Sequence, residues 1–279
     1  VKVPTRKLMN NFLGIIGIIM TVIVISRCKA GVFRKCLSLS LIPLSCLLCS
    51  FIFQNLWAVL AVLLIWLTFP ALEVLLRYRN MRIEPVCQLY EDSPDIYHIP
   101  NAEKALAELE EEGYEEVDEC SWRWEGMNKH FHFYWHPEKR AIASLVICEQ
   151  AKLVFSYLNI RSYDNKGNSW RTTNFPFSPQ LAPIPNTYLK RIPCEETSFH
   201  RLQKRHQVFL EKENINLENL IIPEPDNLQK KLRDEMFEQI KINVKRNFIK
   251  QKSCGEYHYT ALGLLYRWKI AIFDLIRLC

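Results

Sequence analysis

The sequence predicts two or three N-terminal transmembrane helices followed by an α+β cytoplasmic domain, in which an antiparallel meander of about five strands packs with helices. Three observations carry this reading. The residues before Glu73 contain two runs without a charge, Met9–Ser26 and Leu37–Leu72. Between Val117 and Asn174, short apolar or alternating stretches are separated by turn residues. Beyond Pro193, apolar residues recur at helical spacing.

The mean hydropathy of −0.08 therefore averages two regimes. A spanning helix needs roughly 20 apolar residues. Met9–Ser26 approaches that length, and Leu37–Leu72 would extend about 54 Å as one helix at 1.5 Å per residue. Gln54 and Asn55 interrupt the second run. Such amides are costly in hydrocarbon unless paired, so a hairpin that leaves them at the far interface gives spans at 9–26, 37–53 and 56–72. The alternative keeps 37–72 as one tilted or bent unit. Arg27, Lys29, Arg34, Lys35, Arg77, Arg79 and Arg82 outweigh Lys2, Arg6 and Lys7. With three spans the larger basic set lies inside, and both alternatives leave the main domain in the cytoplasm. A cleaved signal peptide fits poorly, because Arg27 and Lys29 stand where small neutral residues are needed. The runs contain no ionisable acid or base, which favours a plain anchor over a transporter. Val1 reads either as a bacterial GTG start or as the edge of a trimmed chain.

The expected organisation is an anchor over 1–76, a linker over 77–99 and a helix plus sheet over 100–193. A helical extension over 194–252 and an amphipathic membrane-proximal helix over 253–279 complete it. Asn101 is a candidate cap for a helix with an apolar stripe at Ala102, Ala105, Leu106 and Leu109, and Gly113 follows as its left-handed terminator. The strands are expected at Val117–Trp124, His130–His136, Ala141–Cys148, Leu153–Arg161 and Asn168–Asn174. A proline-rich extended crossing then runs to Pro193, before helices over Glu195–Glu213 and Asp226–Lys252. In the last segment, Tyr259–Leu278, Gly263, Arg267, Asp274 and Arg277 form a narrow polar stripe that suits a headgroup-level helix. Lys241, Lys245, Arg246, Lys250, Lys252 and Arg267 are read as facing anionic lipid.

The net charge of +6 is unevenly spread: from Glu84 to Glu125 there are fourteen acids and two bases. The basic stretch Phe199–His206 has no nucleic-acid motif beside it, so nucleic acid is an unlikely partner. Ten cysteines, with no CxxC pair outside the apolar run, disfavour a thiolate zinc site and fit reduced thiols. No GxSxG, P-loop, GxGxxG, HExxH or kinase signature occurs.

Two constellations remain. His130, His132 and His136 share one face of their strand with Tyr134, and imidazoles in that arrangement are candidate ligands for a divalent metal. Phe131, Phe133 and Trp135 share the other face, which is expected to meet the core. Tyr157, Arg161, Trp170, Thr172, Thr173, Asn174 and His200 are candidates for a small-ligand groove.

The stretch from Leu106 to about Phe209 resembles an unnamed group of uncharacterised bacterial membrane-anchored proteins. The resemblance rests on Leu109–Tyr114, the aromatic strand ending at His136-Pro137, the turn Asp164–Gly167, Thr172-Thr173-Asn174 with the prolines after it, and a helix containing His206. It implies a bacterial domain type and carries no activity. The expectation from sequence is a multi-pass protein of the inner (plasma) membrane, its large C-terminal domain cytoplasmic, with an interaction or scaffolding role rather than an enzymatic one. Its partners would be the bilayer and a protein or a second copy. A metal-binding or enzymatic module on the three histidines and a small-ligand sensor are the alternatives. No cofactor beyond a divalent metal is expected.

Overall fold

The computed structural model describes residues 45–46, 55–83, 89–90, 99, 101–124, 127–150, 153–194, 196–252 and 255–278. The chain divides into two units, one made of residues 1–80 with 261–279 and the other of residues 81–260.

In the first unit, helix α1 covers Leu56–Tyr78 and is capped by Asn55, whose side chain accepts from the Trp57 amide. The expected span at 9–26 lies outside the described residues, and so does that at 37–53 except for residues 45–46. Among the described residues no helix is long and apolar enough to cross a membrane, which corrects the expectation of transmembrane helices there. The physical reason lies in α1 itself. Its charge-free part, Leu56–Leu72, sits at the short end of what a full crossing needs, and the rest carries Glu73 and Arg77. The C-terminal helix of the chain, Ala261–Leu278, belongs to the same unit. Its Arg267 does not face outward as expected but is buried at 6% exposure. The guanidinium donates to the Tyr78 hydroxyl at 2.8 Å and lies 4.5 Å from the centre of that ring.

The second unit is α+β. Helix α2 (Ala102–Glu111) precedes strands β2 (Glu115–Trp124), β3 (Met127–His136), β4 (Ala141–Gln150), β5 (Leu153–Asp164) and β6 (Ser169–Thr173), with a short β1 (Leu89–Tyr90) before them. The expected meander of five antiparallel strands is corrected to a mixed, eight-stranded sheet. β1 to β7 follow in chain order, and β8 (Leu220–Ile221) pairs with β5. The parallel member is β7 (Thr187–Arg191), which arises within the proline-rich crossing and lies along β6 from Ser169↔Thr187 to Thr173↔Arg191. Pro185 and Pro193 flank the strand, each two residues from one of its ends, and none of these prolines falls inside it, so the edge ladder survives.

Helix α3 (Phe199–Lys212) and helix α4 (Leu228–Lys245) follow. The helix expected to run to Lys252 stops at Lys245 because Asn247 turns left-handed, at φ 57°. The chain then forms β9 (Ile249–Gln251), paired with β10 (Tyr257–Tyr259). Asn101 is not a side-chain cap: it sits at φ 65° and makes no capping bond. Gly113, at φ 79°, does end α2 in the left-handed region.

The sheet is covered on both faces. On one, α2 and α3 bring Ala102, Ala105, Leu109, Phe199 and Leu202 onto Ala143, Leu145, Ile147, Leu158 and Ile160. On the other lie α4 and the proline-rich crossing. Asn243 of α4 fixes that crossing by a reciprocal pair with the Ala182 backbone, at 2.9 and 3.0 Å. β4, the near-continuous apolar run, is paired on both sides and buried on both faces, as such a run requires.

Candidate functional site

The strand alternation places the three histidines with Tyr134 on the α2/α3 face, opposite Ile147, Leu145 and Ala141. Phe131 and Phe133 turn to the α4 face. Phe131 and Phe133 are buried there as expected, and the histidine face is covered as well, by an apolar cluster under α2 and α3.

The histidines do not converge. His130 Nδ1 lies 2.6 Å from Ser121 Oγ, with Glu149 3.5 Å from its Nε2. Both His130 and Ser121 are buried. His136 packs edge-on against Tyr114 and accepts from the Lys139 amide. His132 alone meets two acids, Glu116 at 3.1 Å and Glu119 at 3.6 Å.

The groove residues also separate. Trp170 and Thr172 point to the α3 face. There Trp170 Nε1 donates to Asp164, and Thr172 Oγ1 lies 2.9 Å from His206 Nδ1. Asn174 serves the backbone, accepting from Leu158 N and donating to Glu196 O. His200 lies on the outer side of α3 against Glu111 and Glu112. Tyr157, Arg161 and Thr173, by contrast, line a cavity of about 220 Å³ on the α4 face.

This cavity lies over β3–β6 and under α4. Its floor is apolar and aromatic, built from Phe131, Phe133, Ile142, Val146 and Tyr157, and Leu228 and Leu232 of α4 contribute from above. Five cations stand in its lining, Lys129, Arg161, Arg171, Arg191 and Lys231, and among the described residues no acid does. One acid behind the lining, Glu235 of α4, serves several of these groups. It pairs with Arg161, reaches Arg171 at 3.5 Å and accepts from the Tyr163 hydroxyl at 3.3 Å. Burial opposes the charge on Arg161, but Glu235 and the Tyr163 hydroxyl raise its pKa above the ordinary value. The Nε of Arg171 is buried without a hydrogen-bond partner among the described residues, as is Oδ1 of Asn159.

Lys129 differs from the arginines. Its ammonium stands 5.8 Å from the ring centres of Trp122 and Phe175 and makes no ion pair among the described residues. Burial pushes its pKa below the usual lysine value, partly opposed by Cys148. The Cys148 thiol is itself pushed up to about 11 by burial. Sequence reasoning missed Lys129, Arg171 and Arg191. Lys129 and Arg171 share the odd-numbered face of their strands with Arg161 and Thr173, and that parity was the available signal. The basic residues Lys241, Lys245, Arg246, Lys250 and Lys252 are exposed and take no part in the cavity.

No family model, curated protein or solved structure matches this chain.

Proposed function

We propose that the second unit binds a small organic anion with an apolar body in the cavity beneath α4. The observation that carries this is Lys129, a partly buried ammonium without an ion pair among the described residues, set in an acid-free lining. A buried charge is costly until it meets its opposite, and an anionic ligand supplies that opposite. The aromatic and aliphatic floor suits the rest of such a molecule, in the usual division of a ligand site into apolar walls and few polar anchors. The scaffolding role expected from the sequence has no comparable residue in its favour, so ligand binding replaces it as the leading reading.

A thermal-shift series on the full-length chain tests the proposal. Octanoate, benzoate and phenyl phosphate are compared with octanol and benzyl alcohol. A ligand at about 100 times its Kd stabilises the folded state by roughly 2.7 kcal/mol. The anions are expected to raise the melting temperature and the alcohols to leave it nearly unchanged. Equal effects from an anion and its alcohol, or none from any, would refute the reading.

A further inference from the structure

We infer that Glu116, Glu119 and His132 form a divalent-metal site on the sheet face opposite the cavity. In a regular strand, residues three apart point to opposite faces. Here the register between β2 and β3 passes from Glu116↔Tyr134 to Asp118↔Phe133, leaving Val117 as a bulge residue. That single extra residue resets the alternation. Glu116 and Glu119 therefore emerge on one side, next to His132, while Asp118 turns to the other and binds Gln229 of α4. Bulges re-aim side chains in this way and recur beside functional sites.

The geometry fits an ion. His132 aims one nitrogen, Nδ1, at both carboxylates, at 3.1 and 3.6 Å, and the three ligand atoms lie within 4.8 Å of one another. Bonds of about 2.0–2.2 Å to a tetrahedral ion separate its ligand atoms by about 3.3–3.6 Å. Nitrogen and carboxylate donors of this kind suit zinc, and a three-ligand set leaves the fourth position to water.

The charge balance points the same way. No lysine or arginine pairs with Glu116 or Glu119 among the described residues. His132 itself is 2% exposed while both glutamates reach solvent, which gives an ion a fixed base and an open approach.

A second His–Glu–Glu group on the same domain serves as the contrast. His200 offers different nitrogens to its two acids, Nε2 to Glu111 and Nδ1 to Glu112, and Glu112 also pairs with Lys139. No single point there is close to three donors, and one of the acids is already neutralised.

The test uses the full-length chain, stripped with a chelator and titrated with Co2+ as the visible probe, then with Zn2+ as competitor. The expected result is one equivalent of Co2+ with visible ligand-field absorption, displaced by Zn2+. Glu116→Gln and Glu119→Gln each weaken it by more than about tenfold, while His200→Ala leaves it unchanged. The glutamates are exposed, so these variants keep the fold even where His132→Ala would not. No saturable uptake, or affinity unaltered in the Glu116→Gln/Glu119→Gln double variant, overturns the site.

Discussion

The Glu108 carboxylate accepts a hydrogen bond from the Ser198 hydroxyl at 2.9 Å, joining α2 to the start of α3. The same oxygen accepts from the Phe199 and His200 amides, so one buried acid satisfies donors that a helix N-terminus leaves open. Burial raises the pKa of Glu108, and these hydrogen bonds together with the charge of His200 more than reverse that, leaving it below the ordinary 4.5. A lowered folded pKa means stability that is present above pH 4.5 and lost as the pH falls further. Glu108→Gln is expected to cost about 1–3 kcal/mol at neutral pH. It should also remove part of the acid sensitivity below pH 4.5, as read by urea unfolding at several pH values.

His206 gives a second pH window. It is 2% exposed, between the Ser162 and Thr172 hydroxyls, and burial brings its pKa down to about 4. The folded state therefore keeps it neutral while the unfolded chain takes up a proton near pH 6.5. Stability is full above pH 6.5 and falls as the pH drops toward 4, by roughly 3 kcal/mol across the window. His206→Leu is expected to flatten that part of the profile. It also lowers stability at pH 7 by about 1–3 kcal/mol, since two buried hydroxyls lose their partner. A profile unchanged between pH 6.5 and 4 would contradict this role.

How far the sequence reveals these sites depends on parity. Alternation within β2–β6 is visible in the residues themselves, and so are the turn at Asp164–Gly167 and the helix stop at Gly113. Alternation does not say which set meets the core when a sheet is covered on both faces, and His130, His132 and His136 fall with the main apolar cluster for that reason. Of the groove candidates, Thr172 and Thr173 are adjacent in sequence, and neighbours on a strand diverge: Thr173 lines the cavity and Thr172 meets His206. Least legible was the bulge at Val117, because nothing in Glu116–Glu119 announces an extra residue. The parallel strand β7 was equally hidden, since its partner is set by the path of the crossing rather than by its own residues.

Glu235 balances the cavity. Replacing it with Gln removes the acid shared by Arg161 and Arg171. The variant is expected to lose about 1–3 kcal/mol of stability and to bind octanoate or phenyl phosphate more tightly than the original chain, as measured by calorimetry. Weaker binding would show that Glu235 organises the site rather than competing with the anion.

Gly113 sits at φ 79°, and a Cβ there would approach His136 Nε2 to 3.4 Å. Gly113→Ala is expected to cost about 1–2 kcal/mol from the left-handed backbone. Thermal unfolding checks this, and an unchanged midpoint would contradict it.

The central claim is that Lys129 holds the charge of an anionic ligand. Calorimetric titration of octanoate into the full-length chain and into Lys129→Met tests it most directly. The expected result is saturable binding to the original chain, reduced at least about tenfold in the variant, corresponding to about 1.4 kcal/mol, with octanol binding both alike. Equal octanoate affinity for the two chains would contradict the account.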